Sequence, residues 1–265
     1  MKITRTISGI SVGLITGLLS ATTASAATIV GTELLLSVDV SGSVNSTEFE
    51  LQREGYAQSF ESANVINAIE NSNGVAVGLS YWASEDDTLE IDWTLLNTAA
   101  DSLAFANTIR NEPRTTTEGN LTDIDDAINF GVDSILNNGF TGSNLVIDVS
   151  GDGTSSISEV QAARDAAVAA GVTVNGLAIN SSFSTSIEDF YRDNVIGGPN
   201  SFVEAVSNFA DVSVAAERKI AREIISGGGG GPTPDPDTAK TPEPASVLSL
   251  FALGALGMMK RKKSS

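Results

Sequence analysis

The sequence predicts an α/β fold: a doubly wound, mainly parallel central sheet with one antiparallel edge strand and helices on both faces. Three observations predict it. Short apolar runs alternate with segments of helical period from residue 34 to residue 225. Most of those runs are largely apolar rather than alternating, as befits strands covered on both faces. One run, Leu89-Glu90-Ile91-Asp92-Trp93, alternates instead, which suits a half-exposed strand at an edge.

In chain order, residues 34–38 form the first strand. Residues 47–62 follow as a helix, because Phe49, Tyr56 and Phe60 recur at helical spacing. Residues 75–82 are the second strand and 89–93 the edge strand. Two helices are expected over 99–110 and 122–136. Residues 145–149 are another buried strand, and the Ala-rich helix 158–170 ends at Gly171. Residues 172–179 form the next strand, 186–193 a helix and 201–203 a short strand. A last helix covers 209–225 and stops at a run of glycines. There is no internal repeat.

Composition narrows the chemistry. The chain has 265 residues, 33 acidic and 15 basic side chains, and neither His nor Cys. A Ser-His-Asp triad, a thiol nucleophile, a zinc knuckle and a disulfide framework are therefore excluded. The net charge of −18 argues against nucleic acid as a partner. Any bound metal must be held by oxygen, which favours Mg²⁺, with Mn²⁺ or Ca²⁺ as alternatives.

The two ends read as addresses. Residues 1–26 have the order of a secretory signal peptide: Lys2 and Arg5, an apolar stretch, then Ala24-Ser25-Ala26. Residues 27–225 form the domain. Residues 226–241, Gly-rich and then Pro-rich, form a linker that cannot bury a core. Pro242-Glu243-Pro244 precedes fifteen residues without a charge and the basic cluster Lys260-Arg261-Lys262-Lys263. As a helix that stretch reaches about 22 Å, short of a hydrocarbon core of roughly 30 Å. The order of these three parts over 242–265 resembles the bacterial PEP-CTERM sorting signal. The resemblance implies export, a hydrophobic anchor in contact with the membrane, and a sorting transpeptidase that cuts near Pro-Glu-Pro and passes the protein to the cell surface. Without the six basic and one acidic residues of these two ends, residues 27–241 carry a net −23. Such a surface attracts divalent cations and repels anionic partners.

In parallel sheets ligands bind beyond the carboxyl ends of the strands, so the loops there are the informative segments. The first strand runs into Asp39-Val40-Ser41-Gly42-Ser43, three oxygen-bearing side chains at alternate positions. Strand 145–149 runs into Ser150-Gly151-Asp152-Gly153. Thr122 closes a third loop, Glu118-Gly119-Asn120-Leu121-Thr122. Taken singly, Ser41 and Ser43 could serve only as turn and cap residues, and Thr122 as an N-cap. Taken together, the loops offer two carboxylates and three hydroxyls with no basic residue among them.

These residues resemble the metal-ion-dependent adhesion site of von Willebrand factor A (vWA) domains. Asp39, Ser41 and Ser43 match its Asp-x-Ser-x-Ser, Thr122 its distant Thr, and Asp152 the Asp of its Thr-Asp-Gly, written Gly151-Asp152-Gly153 here. The resemblance spans residues 32–225. It implies that Asp39, Ser41, Ser43, Thr122 and Asp152 are metal ligands and that the metal is Mg²⁺. It further implies that a protein partner supplies a carboxylate to an open coordination position, and that the chain binds rather than catalyses. Ala163-Arg164-Asp165, the segment 169–179 and Val195-Ile196-Gly197-Gly198-Pro199 resemble a bacterial vWA-related family of unknown function.

Other readings use overlapping residues. Asp148-x-Ser150-x-Asp152-Gly153, followed by Glu159, has EF-hand spacing over 148–159. A metal-assisted hydrolase would take its base from Asp123, Asp125 or Asp126, although carboxylates in a first helical turn also suit the dipole. A metal-independent envelope or matrix scaffold is the third alternative. Trp82 and Trp93 are expected in packing, and Arg114 as a solvated loop charge.

Overall fold

A computed structural model describes residues 26–84, 87–115, 119–180 and 186–227. The signal peptide, nearly all of the linker, the sorting signal and Glu118 lie outside the described residues. The elements run β1 (Thr28–Asp39), α1 (Ser46–Glu61), α2 (Ala63–Glu70), β2 (Val75–Trp82), β3 (Thr88–Leu96), α3 (Ala99–Asn111), α4 (Ile124–Leu136), β4 (Phe140–Gly151), α5 (Ile157–Ala169), β5 (Val172–Ile179), α6 (Ile187–Phe190), β6 (Val203–Val206) and α7 (Val212–Gly227). One π-helical turn, Tyr191–Val195, continues α6, and a 3₁₀ turn, Phe209–Asp211, leads into α7.

The sheet order is β3-β2-β1-β4-β5-β6. Only β3 is antiparallel, paired to β2 at the edge as its alternation predicts. All other pairings are parallel. The chain leaves β1 toward β2 on one side and later returns to place β4 on the other. The carboxyl ends of β1 and β4 thus flank the topological switch point, where such sheets open a crevice.

Alternate residues of the central strands feed two cores. Leu34, Leu36 and Val38 of β1 pack with α1, α2, α3 and α7. Leu35 packs on the other face with Ile147 and Val149 of β4 and with α4 and α5. The folded unit, with both helical layers, is contained in residues 28–227.

Four differences from the expected elements have physical causes. β1 and β4 are twelve residues long, because polar positions continue both strands with buried partners. Glu33 accepts hydrogen bonds from the Gly142 N–H at 2.5 Å and from Asn138 at 2.6 Å. The eight-residue helix α2 was not expected; Ser62, in extended backbone, ends α1 and caps α2 through its hydroxyl. β6 begins at Val203 rather than 201, since the Phe202 N–H turns to the Asn175 side chain at 3.1 Å. The expected helix over 186–193 is a single α-turn that widens into the π-turn. Trp82 is buried, and the half-buried Trp93 donates its indole N–H to Ser134 at 2.9 Å, so both serve packing.

Candidate metal centre

Asp39 is the last residue of β1 and is fully buried. Its Oδ1 accepts the Ser41 N–H at 2.7 Å, so the chain turns sharply and carries Ser41 and Ser43 back over the strand end. The two Ser hydroxyls share a hydrogen bond at 3.0 Å. The Ser43 hydroxyl donates to Asp152 Oδ1 at 2.7 Å, linking the β1 loop to the β4 loop. Thr122 Oγ1 stands 3.5 Å from Ser41 Oγ. The five residues singled out by the sequence therefore converge at the switch point. Asp39 and Ser41 form a buried floor and Ser43 an exposed mouth.

Neither simple alternative for the hydroxyls holds. The N-cap of α1 is Asn45, which forms a reciprocal capping box with Glu48. Ser43 is thus left free for the site. Asp123, not Thr122, stands at the cap position of α4, and it makes no side-chain cap bond.

Glycines allow the loops to close. A Cβ on Gly153 would lie 2.8 Å from Thr122 Oγ1. One on Gly42 would lie 3.0 Å from the Asn120 carbonyl, which already accepts the Gly42 N–H at 2.9 Å. Asn120 thereby docks the Thr122 loop on the Asp-x-Ser-x-Ser loop.

Sequence reasoning misread Arg114. It is not a solvated charge: its guanidinium donates to the carbonyls of Val44 at 2.7 Å, Val40 at 2.5 Å and Ser41 at 3.1 Å, and lies over the Phe49 ring. One planar fork thus clamps the backbone of the whole first loop. Arg114→Ala should cost about 1–3 kcal/mol by orphaning these carbonyls, read as a lower Tm. Arg114→Lys should recover only part of that, since an ammonium cannot match the fork.

The electrostatics of the site are dominated by burial. Burial pushes the Asp39 carboxyl up to about 7, only partly offset by the Ser41 hydroxyl and N–H, and the charge of Asp152 adds to the rise. Asp152 is also raised, mainly by burial. Asp39 Oδ2 is buried with no hydrogen-bond partner. Among the described residues neither Asp39 nor Asp152 belongs to an ion pair; Arg114 is spent on carbonyls. Three hydroxyls and two carboxylates, one of them with an unpartnered buried oxygen, fit a hard divalent cation, which is bound by oxygen ligands and would balance their charge.

The EF-hand set is not assembled. A strand, not a helix, precedes the loop, and Asp148 is paired with Lys219 of α7 at 2.7 Å. Among the described residues no three acidic side chains gather to hold a metal. Asp123 is raised to about 7 by burial and by its neighbour Asp125.

Comparison with known proteins agrees with the fold. Residues 240–263 match the PEP-CTERM protein-sorting motif, which implies export and association with the envelope. Among the described residues no helix is long and apolar enough to cross a membrane; the charge-free run 245–259 lies outside them. No curated protein matches the sequence. The fold is similar to proximal thread matrix protein 1 from the mussel byssus, with TM-score 0.55 and 14% identity over 74% of this chain and 48% of that one. This chain therefore spans about half of that protein. It is similar to the SpRpn10 VWA domain, with TM-score 0.50 and 11% identity over 68% and 93% of the two chains. BatB from Bacteroides thetaiotaomicron matches with TM-score 0.49 and 18% identity over 74% and 98%. Residues 29–227 match the family described as protein of unknown function, DUF1194, and the chain belongs to this vWA-like family.

Proposed function

We propose that this protein is an exported, envelope-tethered binding module that captures a protein ligand through a divalent cation, Mg²⁺ in the first place and Mn²⁺ or Ca²⁺ as substitutes. The observation that carries this reading is the convergence of Asp39, Ser41, Ser43, Thr122 and Asp152 beside a buried carboxylate oxygen that has no partner. The hydroxyls of Ser41, Ser43 and Thr122 would be the direct ligands. Asp39 and Asp152 would balance the charge; the Ser43 proton is directed at Asp152 and one of its lone pairs accepts from Ser41, which leaves the other lone pair available. A bound Mg²⁺ supplies an open position for a carboxylate from the partner. The exposed mouth at Ser43 gives that group access.

The tether in this reading is the PEP-CTERM segment, with its hydrophobic stretch in the membrane until a sorting transpeptidase acts. Catalysis is not part of it: Asp125 and Asp126 lie in the first turn of α4, where the dipole suits carboxylates, which accounts for their clustering.

Calorimetric titration of residues 27–241 with Mg²⁺, Mn²⁺ and Ca²⁺ tests the reading. Binding should be saturable, disappear in Asp39→Ala and survive in Glu159→Ala. Loss with Glu159→Ala alone would move the ion to the β4–α5 loop. No binding at all would leave a scaffold without a metal-bridged ligand.

A further inference from the structure

Tyr191 has no role in the site as described, yet its hydroxyl ends beside it. The residue is fully buried and opens the π-helical turn after α6. Its ring is held edge-on against Phe190 and passes close over Gly176, where a Cβ would lie 2.8 Å from the ring. A π-turn shifts the side chains that follow it out of helical register and is found mostly at functional sites.

The hydroxyl reaches the space above Gly151, the position at which this chain lacks the Thr that the vWA resemblance leads one to expect. A Cβ there would lie 2.7 Å from the Tyr191 hydroxyl and 2.7 Å from Asp39 Oδ2. The two oxygens therefore face one another across a bare glycine. Both are buried and neither has a hydrogen-bond partner among the described residues. Asp39 Oδ1 is already taken by the Ser41 N–H, so Oδ2 is the oxygen left to be oriented. A buried phenol with nothing to bond costs stability, and its persistence beside an acceptor in the same condition needs an explanation.

We infer that Tyr191 is a positioning residue of the metal centre: its O–H reaches Asp39 Oδ2 through one bridging water and sets which way the carboxylate faces the cation. The inference rests on the metal-binding reading above. The O–H serves there as an outer-shell donor, and groups of that kind change metal affinity about 10- to 100-fold. Gly151 is part of the same device, because any side chain there would fill the gap across which the two oxygens meet.

The test is Tyr191→Phe in the chain without its signal peptide, which keeps the ring and its packing and removes only the hydroxyl. Mg²⁺ affinity is measured by calorimetry and thermal unfolding is followed in chelator. Affinity should fall about tenfold, more than any loss of Tm in chelator accounts for, because Asp39 Oδ2 is no longer oriented toward the cation. A merely structural tyrosine would lower the Tm in chelator and leave the Mg²⁺ affinity of the folded protein unchanged. Unmutated protein that binds Mg²⁺, with Tyr191→Phe binding equally well, would overturn the role of Tyr191 and leave the metal reading intact. Failure of both proteins to bind Mg²⁺ would overturn the metal reading and this inference with it.

Discussion

Lys219→Met should destabilise the domain by about 3–5 kcal/mol, seen as a Tm lower by roughly 10 °C. Lys219 lies on α7 with no exposed side-chain surface. Its ammonium meets Asp148 of β4 at 2.7 Å and pairs with Glu223 one turn further along the helix. Both carboxylates are also fully enclosed, and Glu223 accepts a further bond from Asn175 of β5 at 2.9 Å. Two acids facing one base cannot all be charged in a dry interior, so Asp148 is raised and Glu223 is pushed up to about 7, burial being the main cause for both. Taking away the base leaves two acids with no opposite charge, and the desolvation already incurred is no longer offset. Asp148→Asn is the informative contrast. It keeps the shape and leaves one acid to one base, so it should cost little or even stabilise. Equal losses from the two variants would mean that packing at this position, not charge balance, holds α7 to the sheet.

That network was invisible in the sequence, while much of the fold was not. The β2 and β5 runs are largely apolar, and the structure begins and ends them where the sequence does, at Val75–Trp82 and Val172–Ile179. β1 was read as five residues, because Thr32 and Glu33 look like surface until Asn138, Gly142 and Asn144 are known to meet them. The same limit divides the site. Asp39, Ser41 and Ser43 declare themselves by local spacing, and Asp152 by standing at a second strand end. Arg114 and Tyr191 act on residues more than sixty positions away in the chain. An Arg after a Pro in a loop carries no local sign that its fork will meet three carbonyls of another loop. Gly151 was the one available signal for Tyr191: a small residue where the vWA resemblance leads one to expect a hydroxyl implies that another group fills the space. Lys219 fits a helical pattern as an ordinary surface charge, and only the face that α7 turns to the sheet shows otherwise.

In chelator, the Tm should fall as the pH is raised from about 5 to about 8, and saturating Mg²⁺ should remove much of that fall. This is the reverse of the usual behaviour of paired carboxylates. Asp39 has its carboxyl raised from 3.8 to about 7 in the folded chain. Between those values the folded state keeps a proton that the unfolded state has lost, and stability declines with every step upward in pH. The full excursion is worth about 4 kcal/mol for a shift of this size at 1.36 kcal/mol per pKa unit. Glu223 and Asp123 move in the same direction, each to about 7, and Asp148 and Asp152 are also raised, so the chelated protein has several sources of the slope. Asp39→Asn isolates one of them: it should abolish the Asp39 share and leave the rest. A divalent cation acts on the carboxylates of the site, Asp39 above all. It binds the ionised carboxylate and supplies the positive charge that burial withholds, so its stabilisation grows as the proton becomes easier to displace. The Mg²⁺-dependent gain in Tm should therefore be small near pH 5 and largest above about pH 7. A gain that did not change with pH would mean that the cation binds without displacing the Asp39 proton, at a place other than the floor of this site. A chelated Tm that rose with pH would mean that Asp39 is already ionised in the folded chain and has found a positive partner within the protein.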